Sequence, residues 1–214
     1  MVPGRLDGAS VQTSKEDRVG RIVVTEFVSL DGVMEDPGGS ESFKHGGWSF
    51  EIDRGEGMTF KLEETMATDA LLLGRVTYEG FAEAWPSRDG EFADKFNSMP
   101  KHVVSSTLER PEWNNSSVLE GDLDGEVAKL KERYDGDVVV HGSAQLTQAL
   151  IERDIVDELR LMVFPVVLGS SKRLFGESAD TKRLELVDTR TVGDGVLILR
   201  YAQPAGANQG KEPR

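Results

Sequence analysis

The sequence contains no cysteine. Disulfides, thiol nucleophiles and thiolate metal sites are excluded together, and the composition fits a reducing compartment. No apolar run approaches the roughly 20 residues needed to cross a bilayer, and the N-terminus has no hydrophobic signal region. No membrane partner is expected, and a cytoplasmic location is. Positive charge is scarce: 25 Lys and Arg face 38 Asp and Glu, giving a formal charge of −13 and a pI near 4.7. A general nucleic-acid binder takes its affinity from cations that neutralise phosphates, so that class is excluded too. His45, His102 and His141 fall in no metal-binding spacing, so no metal site is expected; His102 and His141 read as structural histidines beside strand ends. No GxSxG elbow supports a serine hydrolase, and no GxGxxG supports an ordinary Rossmann domain.

The 214 residues suit one domain. Residues 1–20 are polar with cancelling charges and read as a disordered leader. Residues 203–214 hold nothing apolar larger than alanine and read as a flexible tail. The body, 21–202, keeps 20 basic and 34 acidic residues once the five and four in the ends are removed, a charge of −14. The acidity therefore belongs to the folded part.

Two periodicities alternate along that body. Ile22 to Ser29, rich in β-branched residues, predicts a strand stopped by Asp31-Gly32. Met58, Leu62 and Met66, repeating every four residues on one face, predict a helix over 57–67. Ala70 to Leu73, His102 to Ser105 and Val138 to Val140 are short apolar runs that suit buried strands. Helices are expected around Phe92, Phe96 and Met99, around Val127, Leu130 and Tyr134, and after Gly142, where Ser143 is placed to cap. Glu158 to Leu168 is extended, and a Gly193-Asp194-Gly195 turn joins the two strands of a final hairpin. The pattern predicts an α/β fold in three layers, with a mostly parallel central sheet and an antiparallel C-terminal hairpin.

Three apolar strands end in small polar residues: Gly74-Arg75-Val76-Thr77, Ser105-Ser106-Thr107 and His141-Gly142-Ser143-Ala144. Open α/β sheets bind ligands at the carboxyl ends of their strands, and helix N-termini attract phosphate. Together the turns make a cradle for a phosphorylated cofactor, with Arg75 supplying charge, although Arg75 alone also reads as a solvated surface arginine. The first strand runs through Val28 into Ser29-Leu30-Asp31-Gly32, and a glycine-rich segment follows before Trp48. Asp31 and Trp48 either line the mouth of the same cleft, or mark a turn and a core aromatic.

SLDGVM at 29–34, LLLGRVTYEGF at 71–81, VVSSTL at 103–108 and VVVHGSAQLTQALIERDIVDELRLMVFPVVLGSSKRLF at 138–175 resemble, in this order, the C-terminal reductase domain of bacterial bifunctional riboflavin-pathway deaminase-reductases. The stand-alone members of that family, with the dihydrofolate-reductase fold, are the better match. The resemblance implies NADPH-dependent hydride transfer. It implies that Gly74, Arg75 and Thr77 hold the cofactor phosphates, that Ser105 and Ser106 lie near the 2′-phosphate, and that Gly142, Ser143, Ala144, Gln145 and Leu146 lie under the pyrophosphate. Val28 falls where the family's first strand touches the cofactor. Asp31 lies in the SLDG signature as the candidate catalytic residue, a polar substrate contact or proton relay, and Trp48 sits near a nicotinamide-side aromatic. Val140 and His141 stand where the riboflavin enzymes carry a glutamate. Glu51, Asp53 and Glu56 do not match the pterin-binding acid of dihydrofolate reductases.

The expected function is an NADPH-dependent reductase of a small heterocyclic or sugar-linked substrate, resembling 5-amino-6-(5-phosphoribosylamino)uracil reductase. The alternatives are a non-catalytic nucleotide-binding or sensor protein and a dihydrofolate reductase. A polyanionic cofactor on an acidic body requires a locally basic pocket, expected from Arg75, Lys101 and helix-start amides. A homodimer is expected as well, with the apolar stretch Leu159 to Leu168 either at a sheet edge or in a buried central strand.

Overall fold

The computed structural model describes residues 19–177 and 180–204. Among these residues, eight strands form one sheet in the order β4-β3-β2-β5-β1-β6-β8-β7. They are β1 (Arg21–Ser29), β2 (Thr68–Gly74), β3 (Lys101–Val104), β4 (Ser116–Leu119), β5 (Asp137–His141), β6 (Glu158–Phe164), β7 (Glu185–Val192) and β8 (Val196–Ala202). β1 to β6 pair in parallel, and β8 and β7 add the antiparallel finish. The expected α/β architecture is the one observed. The long stretch from Glu158 is an inner strand between β1 and β8, not a sheet edge.

Among the described residues, five α-helices cover the two faces: α1 (Gly57–Ala67), α2 (Arg75–Ala84), α3 (Glu91–Ser98), α4 (Leu123–Arg133) and α5 (Ala144–Glu152). α4 and α5 set Val127, Leu130, Leu146 and Leu150 on one side of the sheet. On the other, Tyr78 and Phe96 from α2 and α3 pack with Leu71, Leu73, Val103 and Val139. Strands sandwiched in this way have no solvated face. Val138, Val139 and Val140 are fully buried, each stabilising the fold by roughly 1.5–3 kcal/mol.

Local packing corrects the sequence pattern at three points. The inward face of α1 carries Lys61, Glu64 and Thr65, while Met58 and Met66 are exposed. Lys61 and Glu64 are buried because each finds a charged or hydroxyl partner from the sheet, as described below. Ser143 occupies the N-cap position of α5 but makes no capping bond; its backbone is left-handed (φ 58°) and its hydroxyl reaches elsewhere. Finally, Gln203 is tied to the body through bonds to the Asp157 and Asp154 carbonyls. The rest of the expected leader and tail, 1–18 and 205–214, lies outside the described residues. Gly20, at the leader's end, donates to the Lys131 carbonyl.

Candidate functional site

β2 and β5 lie side by side, and each turns into a helix at a glycine. α2 leads toward β3 and α5 toward β6, in opposite directions along the sheet, which makes this the switch point where open α/β sheets take ligands. The two turns interlock. The Ser143 hydroxyl accepts the Gly74 amide hydrogen at 2.8 Å and donates to Thr77 Oγ1 at 2.8 Å. A Cβ on Gly74 would stand 2.6 Å from Ser143 Oγ, and one on Gly142 would stand 2.9 Å from Thr77 Oγ1. Gly142 also has φ +61°, a conformation open to glycine at little cost. Glycine at both turns thus lets two helix N-termini approach, with first-turn amides that have no intrahelical acceptor.

A cleft of about 1560 Å³ opens over these turns. Ten of the expected cofactor residues line it: Gly74, Arg75, Thr77, Ser105, Ser106, Gly142, Ser143, Ala144, Gln145 and Leu146. The structure brings them together from three strand ends. Val28 is not among the lining residues; it is buried in the core beneath α5. Trp48 also stays out of the cleft, packing edge-on against Phe164 at 5.3 Å while its indole N–H donates to the Glu35 carbonyl.

Asp31 lies in a loop clamp outside the cleft lining. Its carboxylate accepts the Ser29 hydroxyl at 2.7 Å and the amides of Leu168 and Gly169 at 3.1 and 2.9 Å. These donors, Ser29 foremost, hold its pKa down at about 2. Arg173 pairs with the same carboxylate at 3.6 Å and bonds the Asp31 carbonyl. Such a group stays ionised and occupied at neutral pH.

The expected basic pocket is corrected. Five carboxylates (Glu26, Glu35, Glu41, Glu109, Glu120) and three cations (Lys61, Arg75, Lys172) line the cleft. Arg75 bonds Glu79 at 2.9 Å, and Lys172 bonds Glu35 at 2.6 Å. Lys101 does not reach the cleft. It starts β3, at the other end of the strand, and its fully buried ammonium donates to the carbonyls of Asn97, Met99 and Asn114 beside the Trp113 ring. Burial lowers its pKa to about 8. The positive groups that the turns themselves carry are Arg75 and the helix-start amides.

The sequence reading passed over the polar residues inside β1. Thr25 donates to Glu64 at 2.9 Å and accepts from Lys61 at 2.7 Å, and Lys61 pairs with Glu64. Arg160, in register with Thr25 on β6, closes this cluster beneath α1 at 3.5 Å from Glu64. Glu26 is buried at the cleft, where burial lifts its pKa to about 8. His141 packs its ring against Phe96 and Phe81, and burial holds its pKa well below 6.5.

Comparison with known proteins fits this geometry. The uncharacterized protein YyaP of Bacillus subtilis (strain 168) is 31% identical over 187 residues, covering 85% of this chain and 94% of its own length. The crystal structure of a putative riboflavin biosynthesis protein from Shewanella sp. PV-4 superposes with a TM-score of 0.67 at 21% identity, over 85% of this chain and 98% of that one. Schistosoma mansoni dihydrofolate reductase superposes at 0.56 and 19% identity, over 87% of this chain and all of its own, so the fold is dihydrofolate-reductase-like. A family model, the RibD C-terminal domain, matches residues 21–198. That match runs from the first residue of β1 into β8 and takes in every wall of the cleft: the chain belongs to the RibD C-terminal domain family.

Proposed function

We propose that the protein is a cytoplasmic, homodimeric NADPH-dependent reductase that transfers hydride to a small heterocyclic or sugar-linked substrate, resembling 5-amino-6-(5-phosphoribosylamino)uracil reductase. The observation that carries this reading is the interlock of Gly74, Thr77, Gly142 and Ser143, which gathers two helix N-termini at one cleft. The residues fit the cofactor. Free amides at the starts of α2 and α5 would hold its phosphates, as helix N-termini do. Arg75 would add a cation and Ser105 and Ser106 hydroxyl donors. NADPH, when bound, supplies the hydride. The chain supplies orientation and exclusion of water: the glycine turns set the approach, and the walls from β1, α5 and α2 shield the reacting carbon.

Fluorescence titration with NADPH tests the reading directly, followed by oxidation in the presence of 5-amino-6-(5-phosphoribosylamino)uracil. Saturable binding with turnover is expected. Arg75→Ala is expected to weaken binding about tenfold, the loss of one phosphate contact. Absence of NADPH binding overturns the cofactor reading; binding without turnover on any candidate substrate points to a nucleotide sensor. Light scattering reads the dimer.

A further inference from the structure

Glu26 occupies a position in β1 between Val24 and Val28, where a parallel strand covered on both faces ordinarily carries an aliphatic residue. Its partner in register on β6 is Leu161. On the other side, pairing with β5 ends one residue earlier, at Thr25 and His141, because the chain leaves the sheet at Gly142. Glu26 is therefore the first residue of β1 beyond the end of β5, on the floor of the cleft. It is 7% exposed and lines the cleft, yet its Oε1 has no hydrogen-bond partner among the described residues. A buried polar atom left unmatched is costly, and valine or leucine at this position would carry no such cost. An oxygen kept there without a partner is placed for a group that arrives in the cleft.

The surroundings keep this carboxyl protonated. Burial dominates and Glu64 on α1 adds to it; Lys61 on α1 and a hydrogen bond from the Gly142 backbone to the carboxyl, in the turn before α5, pull the other way and do not prevail. Two other groups stand nearby. The His141 ring is held neutral by burial, and the Lys61 ammonium is engaged by Thr25 and Glu64.

We propose that Glu26 is the catalytic acid of the reduction, donating its proton to the nitrogen or oxygen of a C=N or C=O bond held over the carboxyl ends of β1 and β5. The inference rests on the reductase reading and adds the residue that supplies the proton. As the carbon of that bond gains hydride from the reduced nicotinamide, the π electron pair moves to the heteroatom, which takes the proton of the Glu26 carboxyl. The products are an amine or alcohol, the oxidised nicotinamide and the Glu26 carboxylate, which regains its proton from water as product leaves.

The test compares wild type with Glu26→Gln and Glu26→Asp in the full chain. Infrared difference spectra of the protein without substrate read the carboxyl itself. A protonated-carboxyl band at pH 7 that fades as pH rises through about 8, and that Glu26→Gln lacks, is expected. No such band at pH 7 overturns the proposal. NADPH titration separates this from the cofactor reading: both variants are expected to bind NADPH within threefold of wild type, and failure of wild type itself to bind sinks the cofactor reading instead. With 5-amino-6-(5-phosphoribosylamino)uracil as probe, wild-type kcat/KM is expected to fall above about pH 8. Glu26→Gln, which preserves shape and hydrogen bonding, is expected to lose about 10²- to 10⁴-fold in kcat and the alkaline limb with it. Glu26→Asp is expected to recover part of the rate. A Glu26→Gln enzyme with wild-type kcat and an unchanged pH profile overturns the proposal, reducing Glu26 to a hydrogen-bonding residue.

Discussion

The Gly74 amide and the Ser143 hydroxyl, 69 residues apart in sequence, meet at 2.8 Å and fasten the end of β2 to the start of α5. Because Ser143 Oγ also donates to Thr77, one hydroxyl joins both helix N-termini of the cleft. Ser143→Ala is expected to leave the Gly74 amide unmatched, costing about 1 kcal/mol of stability. Gly142→Ala is the more severe change, since a left-handed alanine costs about 1–2 kcal/mol before its methyl meets Thr77. Thermal unfolding and NADPH titration check both. Each variant is expected to lose cofactor affinity by more than it loses stability, because the turns position amides as well as support the sheet.

A second prediction concerns Lys101, which the sequence places near the second strand junction as a cofactor cation. Its three carbonyl partners join the end of α3 and the segment before β4 to the start of β3. Lys101→Met keeps the aliphatic stem but leaves the buried Met99 carbonyl without its ammonium donor and removes two further bonds, to Asn97 and Asn114, and is expected to cost about 3 kcal/mol. NADPH affinity is expected to stay within twofold of wild type. A large loss of affinity with unchanged melting temperature would return Lys101 to the cleft.

These two residues show what the sequence could and could not convey. The glycine turns were legible, because an apolar run broken by Gly and followed by helical periodicity has a single physical reading in an α/β chain. The partner of a buried charge was not. Met58, Leu62 and Met66 gave α1 an apparent apolar face, yet Lys61 and Glu64 turn inward because they pair with each other, Thr25 hydrogen-bonds both, and Arg160, from another strand, pairs with Glu64. β4 was missed for a related reason: Ser116–Leu119 is four residues long and only half-buried, so its alternation is too short to register. Glu26 did carry a signal. It sits two residues from both Val24 and Val28, the spacing of one strand face, and so had to be inside if β1 was central.

Asp31 supports a third prediction. Its carboxylate ties the loop after β1 to Leu168 and Gly169 through backbone amides. Asp31→Ala is expected to cost about 1–2 kcal/mol, at the lower end because solvent screens part of the charge. Turnover is expected to fall only as far as the loop loosens. The pKa is depressed in the folded protein, so the stabilisation is complete above the ordinary aspartate value near 4 and is lost as pH falls toward about 2. Chemical denaturation at pH 6 and pH 2.5 measures this: the gap between wild type and Asp31→Ala is expected to narrow at the lower pH.

His102 governs a different window. Nδ1 lies 3.0 Å from the Ser117 hydroxyl and Nε2 lies 2.8 Å from the Tyr134 hydroxyl, so the neutral ring joins β3 to β4 and to the end of α4. Burial lowers its pKa to about 4, with Arg133 repelling the charged form and Glu126 opposing the shift weakly. A depressed histidine pKa means that the unfolded chain takes up the proton first. The stabilisation is therefore full above the unfolded value near 6.5 and is lost as pH falls from there to about 4. The amount at stake is about 3 kcal/mol, enough to lower the melting temperature by several degrees for a domain of this size. His102→Gln can keep one hydroxyl bond at a time but cannot titrate. Melting curves between pH 7 and pH 4.5 are expected to slope downward in wild type and to flatten in His102→Gln, with the variant less stable at pH 7. Equal slopes in the two proteins would mean that the acid sensitivity of this sheet lies elsewhere.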